Sequence, residues 1–72
     1  MNKYFWTFVS DHTGNAAFHG HLTREAALEH KKRLKQSEFA RCVGVSKKIT
    51  LAEVKGFAAE RFPHAGHVSY KT

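Results

Sequence analysis

The residues of this chain that could do chemistry are imidazoles, aromatic rings and cations. Six of its 72 residues are histidines, and four of these fall in close pairs, His19 with His21 and His64 with His67. Two such pairs could meet around one metal ion, because imidazole nitrogens are good ligands for zinc and its transition-series neighbours. No carboxylate or thiol has an evident place beside them, however, and the spacing fits no established finger. The expectation is therefore surface imidazole, with no metal and no cofactor. Protonating all six would double the formal charge of +6 and strengthen any contact with an anion.

The rings are concentrated in "KYFWTFVS", Lys3 to Ser10. Along an extended strand the side chains alternate, so Tyr4, Trp6 and Phe8 share one face while Phe5, Thr7 and Val9 share the other. A chain this short readily builds one core, which leaves one of the two faces to be covered from outside the monomer. The cations are concentrated too. Lys31, Lys32, Arg33, Lys35, Arg41, Lys47 and Lys48 are opposed in their segment only by Glu38, while the remainder of the chain is neutral. All the excess charge lies in one central quarter, the pattern of an electropositive patch for phosphates or for an acidic protein surface.

Other chemistries find little support. Neither a Ser-His-Asp order nor a glycine-rich phosphate loop occurs, Asp11 is the only aspartate, and the glutamates fall mostly on helix surfaces, so the chain is not expected to be an enzyme. "KGFAAERF", Lys55 to Phe62, matches much of the octapeptide of RRM domains. Ala59 stands where the second stacking aromatic belongs, though, and Glu60 where a core aliphatic belongs, and the segment follows a helical rather than a strand pattern. His-Gly-His with a late tyrosine is similar to part of the two-histidine tyrosine nucleases, but Gly20 replaces the bulky apolar residue between the histidines. Neither likeness is taken as membership.

The six elements that must position these residues follow from local pattern. The strand Lys3 to Ser10 leads into "SDHTGN", the chemistry of a tight hairpin turn, and a second strand runs from Ala16 to Leu22. A two-residue loop would pair even positions of the first strand with odd positions of the second. Phe5, Val9, Phe18 and Leu22 then form the core face, and Tyr4, Trp6, Phe8, His19 and His21 the outer one. Thr23 caps a helix from Arg24 to about Gln36, with a thin apolar stripe of Ala27 and Leu34 beside Ala26 and His30, and a second stripe of Arg24, Leu28, Lys31 and Lys35. "ARCVGVSKKI" is a third strand. Its Val43, Val45 and Ile49 face the core and its other face is nearly bare, so that something large can lie across it. Thr50 and Glu53 form a capping box for a second helix with Leu51, Val54, Ala58 and Phe62 in helical spacing, ended by Pro63. "HVSYK" is a short last strand.

The last inference is global. With 42% hydrophobic and 25% charged residues and one proline, the chain is a folded globule rather than a disordered tail. The order ββαβαβ predicts a single α+β domain over residues 1–72, a two-layer sandwich with two helices on one face of a four-stranded, mainly antiparallel sheet. A single cysteine, Cys42, excludes an internal disulfide and points to a reducing, cytoplasmic setting. No stretch reads as a signal peptide or membrane span. The function expected is a small, basic, non-enzymatic binding protein. It would act on nucleic acid, single-stranded or RNA, through the basic zone and through Tyr4, Trp6, Phe8, His19 and His21 with His67 and Lys71 nearby. The alternative is an inhibitor or adaptor of the kind carried by phages and plasmids, which would bind a protein partner, or a second copy of itself in a homodimer, through the same face.

Overall fold

The computed structural model describes residues 2–72. Six elements follow in order: β1 (Lys3–Asp11), β2 (Ala16–His21), α1 (Arg24–Leu34), β3 (Ala40–Thr50), α2 (Leu51–Arg61) and β4 (Val68–Lys71). The strands form one sheet in the spatial order β3-β1-β2-β4, antiparallel except for the β2-β4 pair. The α+β class, the four strands, the two helices and the order ββαβαβ are those expected from the sequence. Among the described residues no helix is long and apolar enough to cross a membrane.

The hairpin between β1 and β2 sets the faces, and it corrects the expected partition. Its loop is three residues, His12 to Gly14, closed by Asp11 N–H donating to the Asn15 carbonyl at 3.0 Å. Gly14 sits at φ +86°, the left-handed conformation that a three-residue hairpin of this kind needs at its last loop position. The extra loop residue makes even positions pair with even: Phe8 lies opposite Phe18 and Thr7 opposite His19. Phe18 therefore joins Trp6 and Phe8, while His19 and His21 join Phe5, Thr7 and Val9.

The face carrying Tyr4, Trp6 and Phe8 is the main core. Trp6 and Phe18 are fully buried, Phe8 is nearly so, and Ala16 with Val54 and Ala58 of α2 completes the centre. Phe57 and Phe62 pack against both Phe8 and Phe18, and Tyr70 of β4 stacks on Phe18 at 5.4 Å between centroids. Burying each such ring contributes roughly 1.5–3 kcal/mol, which makes this aromatic cluster the principal source of stability. The bare face of β3 is explained here, since a β-carbon at Gly44 would collide with the Phe8 ring.

α1 lies on the other face. Thr7, between the two buried rings in sequence, projects the opposite way, and its hydroxyl donates to the Ala27 carbonyl at 2.8 Å beneath the helix. The two helices thus flank the sheet, one on each face, where a two-layer arrangement was expected. The reason is parity: both faces of β1 are apolar enough to need cover, and each helix supplies it for one. Phe5 and Val9, expected at the centre of the core, are half-buried on the α1 side, and Leu22 is 77% exposed beyond the end of β2.

A bulge in β3 adjusts the remaining positions. Phe5 pairs with Lys48 and Thr7 with Val45, so Ser46 and Lys47 together oppose Trp6. Ser46 Oγ takes the Trp6 backbone N–H at 3.1 Å, and the Trp6 indole N–H donates to the Ile49 carbonyl at 3.0 Å, so the buried ring is satisfied. Beyond the bulge the alternation is reversed, turning Ile49 toward Tyr4 and Lys48 toward Phe5.

Candidate anion-binding surface

Of the twelve residues expected to form a binding surface, the aromatic ones are placed elsewhere. Trp6 and Phe8 lie in the core under α2, and Tyr4 packs at its margin with an edge contact to Trp6 at 5.6 Å. Burial keeps Trp6 and Phe8 from stacking on bases, Tyr4 is half-buried, and the cover these rings were expected to require from a partner is supplied by α2. His19 and His21 stand on the opposite face beside α1. The expected single face of rings, imidazoles and lysines is therefore two faces.

The cations remain available. Lys32, Arg33 and Lys35 are exposed and Lys31 is half-buried in the last turns of α1, where positive charge also favours the helix dipole. Two tight turns follow, with Ser37 N–H donating to the Leu34 carbonyl at 3.1 Å and Ala40 N–H to the Ser37 carbonyl at 3.4 Å. They join the end of α1 to the start of β3, where Arg41 is exposed. The His12 ring meets the Glu38 carbonyl at 3.3 Å and pins this connection to the hairpin tip.

Arg41 opens onto a cleft of about 440 Å³ between the hairpin, β3 and the C-terminal end of α2. Arg61, His64 and Cys42 line the same cleft, and the Arg61 guanidinium lies 3.9 Å from the Cys42 sulfur. Arg61 was not singled out by the sequence, and His64 was weighed only as half of a metal-binding pair, because both lie more than ten positions beyond Lys48 and join the basic segment only through the packing of α2. Asp11 also borders the cleft, but its carboxylate is occupied: Oδ1 accepts from the backbone N–H of Thr13 at 2.9 Å and of Asn15 at 3.2 Å. The Thr13 hydroxyl bond is the main cause holding its pKa below the ordinary value. Glu53 is similarly engaged in the capping box with Thr50, whose bonds lower its pKa.

Lys47 and Lys48 are placed apart from this end, past the bulge in β3. Lys48 Nζ sits 5.9 Å from the centroid of the Phe5 ring on the α1 face. Lys47 borders a groove of about 640 Å³ between the β3 edge and α2, which also carries Glu53 and Glu60. The basic zone is thus a cluster at the hairpin end together with a separate pair.

The histidines regroup as well. His30 of α1, expected only beside a helix stripe, reaches His19 and His21: its Nδ1 is 3.0 Å from His21 Nε2, and its ring centroid is 4.7 Å from that of His19. His64 lines the cleft and His67 precedes β4, so the two sequence pairs do not meet. Among the described residues no group of three or more His, Cys, Asp or Glu side chains is placed to hold a metal ion. The segment similar to the RRM octapeptide is helical, within α2 and its cap. Compared with known protein families, curated proteins and solved structures, the chain matches none.

Proposed function

We propose that this chain is a small, non-enzymatic nucleic-acid-binding protein that holds the phosphate backbone through cations rather than stacking bases on its sheet. The observation that carries this reading is that Lys32, Arg33 and Lys35 at the end of α1 and Arg41 at the start of β3 are all exposed, and that Arg41 shares a cleft with Arg61 and His64. Asp11 and Glu53 keep their charge but are hydrogen-bonded into a turn and a cap, and the segment from Lys31 to Lys48 has Glu38 as its only anion. Lysine and arginine contacts to phosphates release condensed counterions, and the affinity gained is steeply salt-dependent and largely indifferent to sequence.

A second reading keeps one observation of its own. Leu22 and Phe39 are 77% and 75% exposed, and Leu28 interrupts the cationic stripe of α1 at 40%. Apolar side chains set among cations suit a partner protein with an acidic, partly apolar surface, as an inhibitor or adaptor would need. Strand addition at the β3 edge is disfavoured, because the bulge and the exposed Lys47 and Lys48 are devices that blunt an edge.

The two readings separate in a binding assay with labelled single-stranded and duplex oligonucleotides. The first predicts binding to both at low salt, lost as salt rises, and weakened by Arg33→Glu or by Arg41→Gln with Arg61→Gln. Absence of binding to either at low salt would leave the protein partner as the better account.

A further inference from the structure

We propose that His19 and His30, with His21 as the hydrogen-bond partner of His30, form an acid-sensitive latch between α1 and the sheet, closed near pH 7.5 and opened by acid. α1 rests on β1, β2 and β3, but over a thin apolar stripe. Ala27 is its one fully buried residue, and the Thr7 hydroxyl bond to the Ala27 carbonyl is a single link. The imidazole cluster is the next contact along the same helix face, one turn further on.

The geometry excludes protonation of both rings of the His21–His30 pair. His21 Nε2 and His30 Nδ1 at 3.0 Å can share one proton, one nitrogen donating and the other accepting, but with both rings cationic two N–H groups would point at each other. His19 lies against His30 with centroids 4.7 Å apart, so a charge on either weighs on the other.

The surroundings add no counter-charge. From β4, Lys71 is paired in register with His19; from α1, Arg33 acts on His30 and Lys31 is its half-buried neighbour. From β3, Lys48 stands on the same face over Phe5, and β1 presents only Phe5 and Thr7 opposite His21 and His19. Glu25 and Glu29 of α1 are exposed. Burial first, and the neighbouring cations second, hold the His19 and His30 pKa values below the ordinary 6.5.

The sign follows from linkage. A histidine whose folded pKa is depressed favours the closed state fully above about 6.5, and that preference is lost as the pH falls through the folded value, because the open state takes up the proton first. Each unit of depression shifts the opening equilibrium on the order of tenfold. Because Trp6 lies on the other face under α2, opening of α1 leaves its environment intact.

The test is amide hydrogen exchange of the wild-type protein at pH 7.5 and 5.5, corrected for intrinsic rates, with Trp6 emission followed in parallel. Opening of α1 should rise roughly tenfold or more at the lower pH while the β1 and β2 amides and Trp6 emission stay unchanged. His30→Gln should flatten the pH dependence and His64→Gln should leave it as in the wild type. Should the His30 variant fail to fold, an NMR titration of the wild-type rings serves instead, with His19 and His30 expected to titrate below 6.5. Equal α1 protection at both pH values would overturn the latch, as would Trp6 and α1 opening together, or ordinary titration of His19 and His30.

Discussion

Trp6 and Thr7, adjacent in sequence and both buried, point to opposite helices. The alternation of β1 was legible, because strand periodicity separates Tyr4, Trp6 and Phe8 from Phe5, Thr7 and Val9 whatever the tertiary context. Which set meets which strand neighbour was not, since that depends on whether the hairpin loop has two residues or three, and "DHTGN" is compatible with both. Two consequences belong at this scale. Trp6 should emit as a buried indole and resist quenching by acrylamide, and its emission should not change when an oligonucleotide is added. Gly44→Ala should force the Phe8 ring aside and lower stability by about 1–3 kcal/mol in urea unfolding, with no new contact to offset it.

The elements differ in how firmly they are held. α2 is specified twice: locally by the capping box of Thr50 and Glu53, and by Val54, Ala58 and Phe57 against the aromatic core. Its start and end were readable from the sequence because capping residues and Pro63 act within a few positions. Thr50→Ala should cost roughly 0.5–2 kcal/mol by removing the side-chain acceptor for the Glu53 N–H. α1 was readable as a helix with a thin stripe, and that thinness is what the structure displays. Thr7→Val, which keeps the shape but removes the hydroxyl that donates to the Ala27 carbonyl in addition to the helix bond, should raise amide exchange in α1 more than in α2. The bulge in β3 was not legible, because nothing in "VSKKI" marks an extra residue. It arises from the fit of Ser46 Oγ to the Trp6 N–H. Its effect on function is to send Lys48 to the α1 face and Ile49 to the core.

At the scale of the whole molecule, a formal charge of +6 is carried by a sheet with a helix on each face. The concentration of that charge between Lys31 and Lys48 was visible in the sequence. Its distribution into a cluster at the hairpin end and a pair beyond the bulge was not, since it depends on the turns after α1 and on where α2 delivers Arg61. The measurement that tests the central claim most directly is the salt dependence of binding to a labelled single-stranded oligonucleotide, followed by fluorescence anisotropy. If the cations hold the backbone, log affinity should fall linearly with log salt, with a slope of roughly −0.7 for each phosphate neutralised, and the slope should become shallower in Arg33→Glu. No binding at low salt, or binding indifferent to salt and to that substitution, would contradict the account.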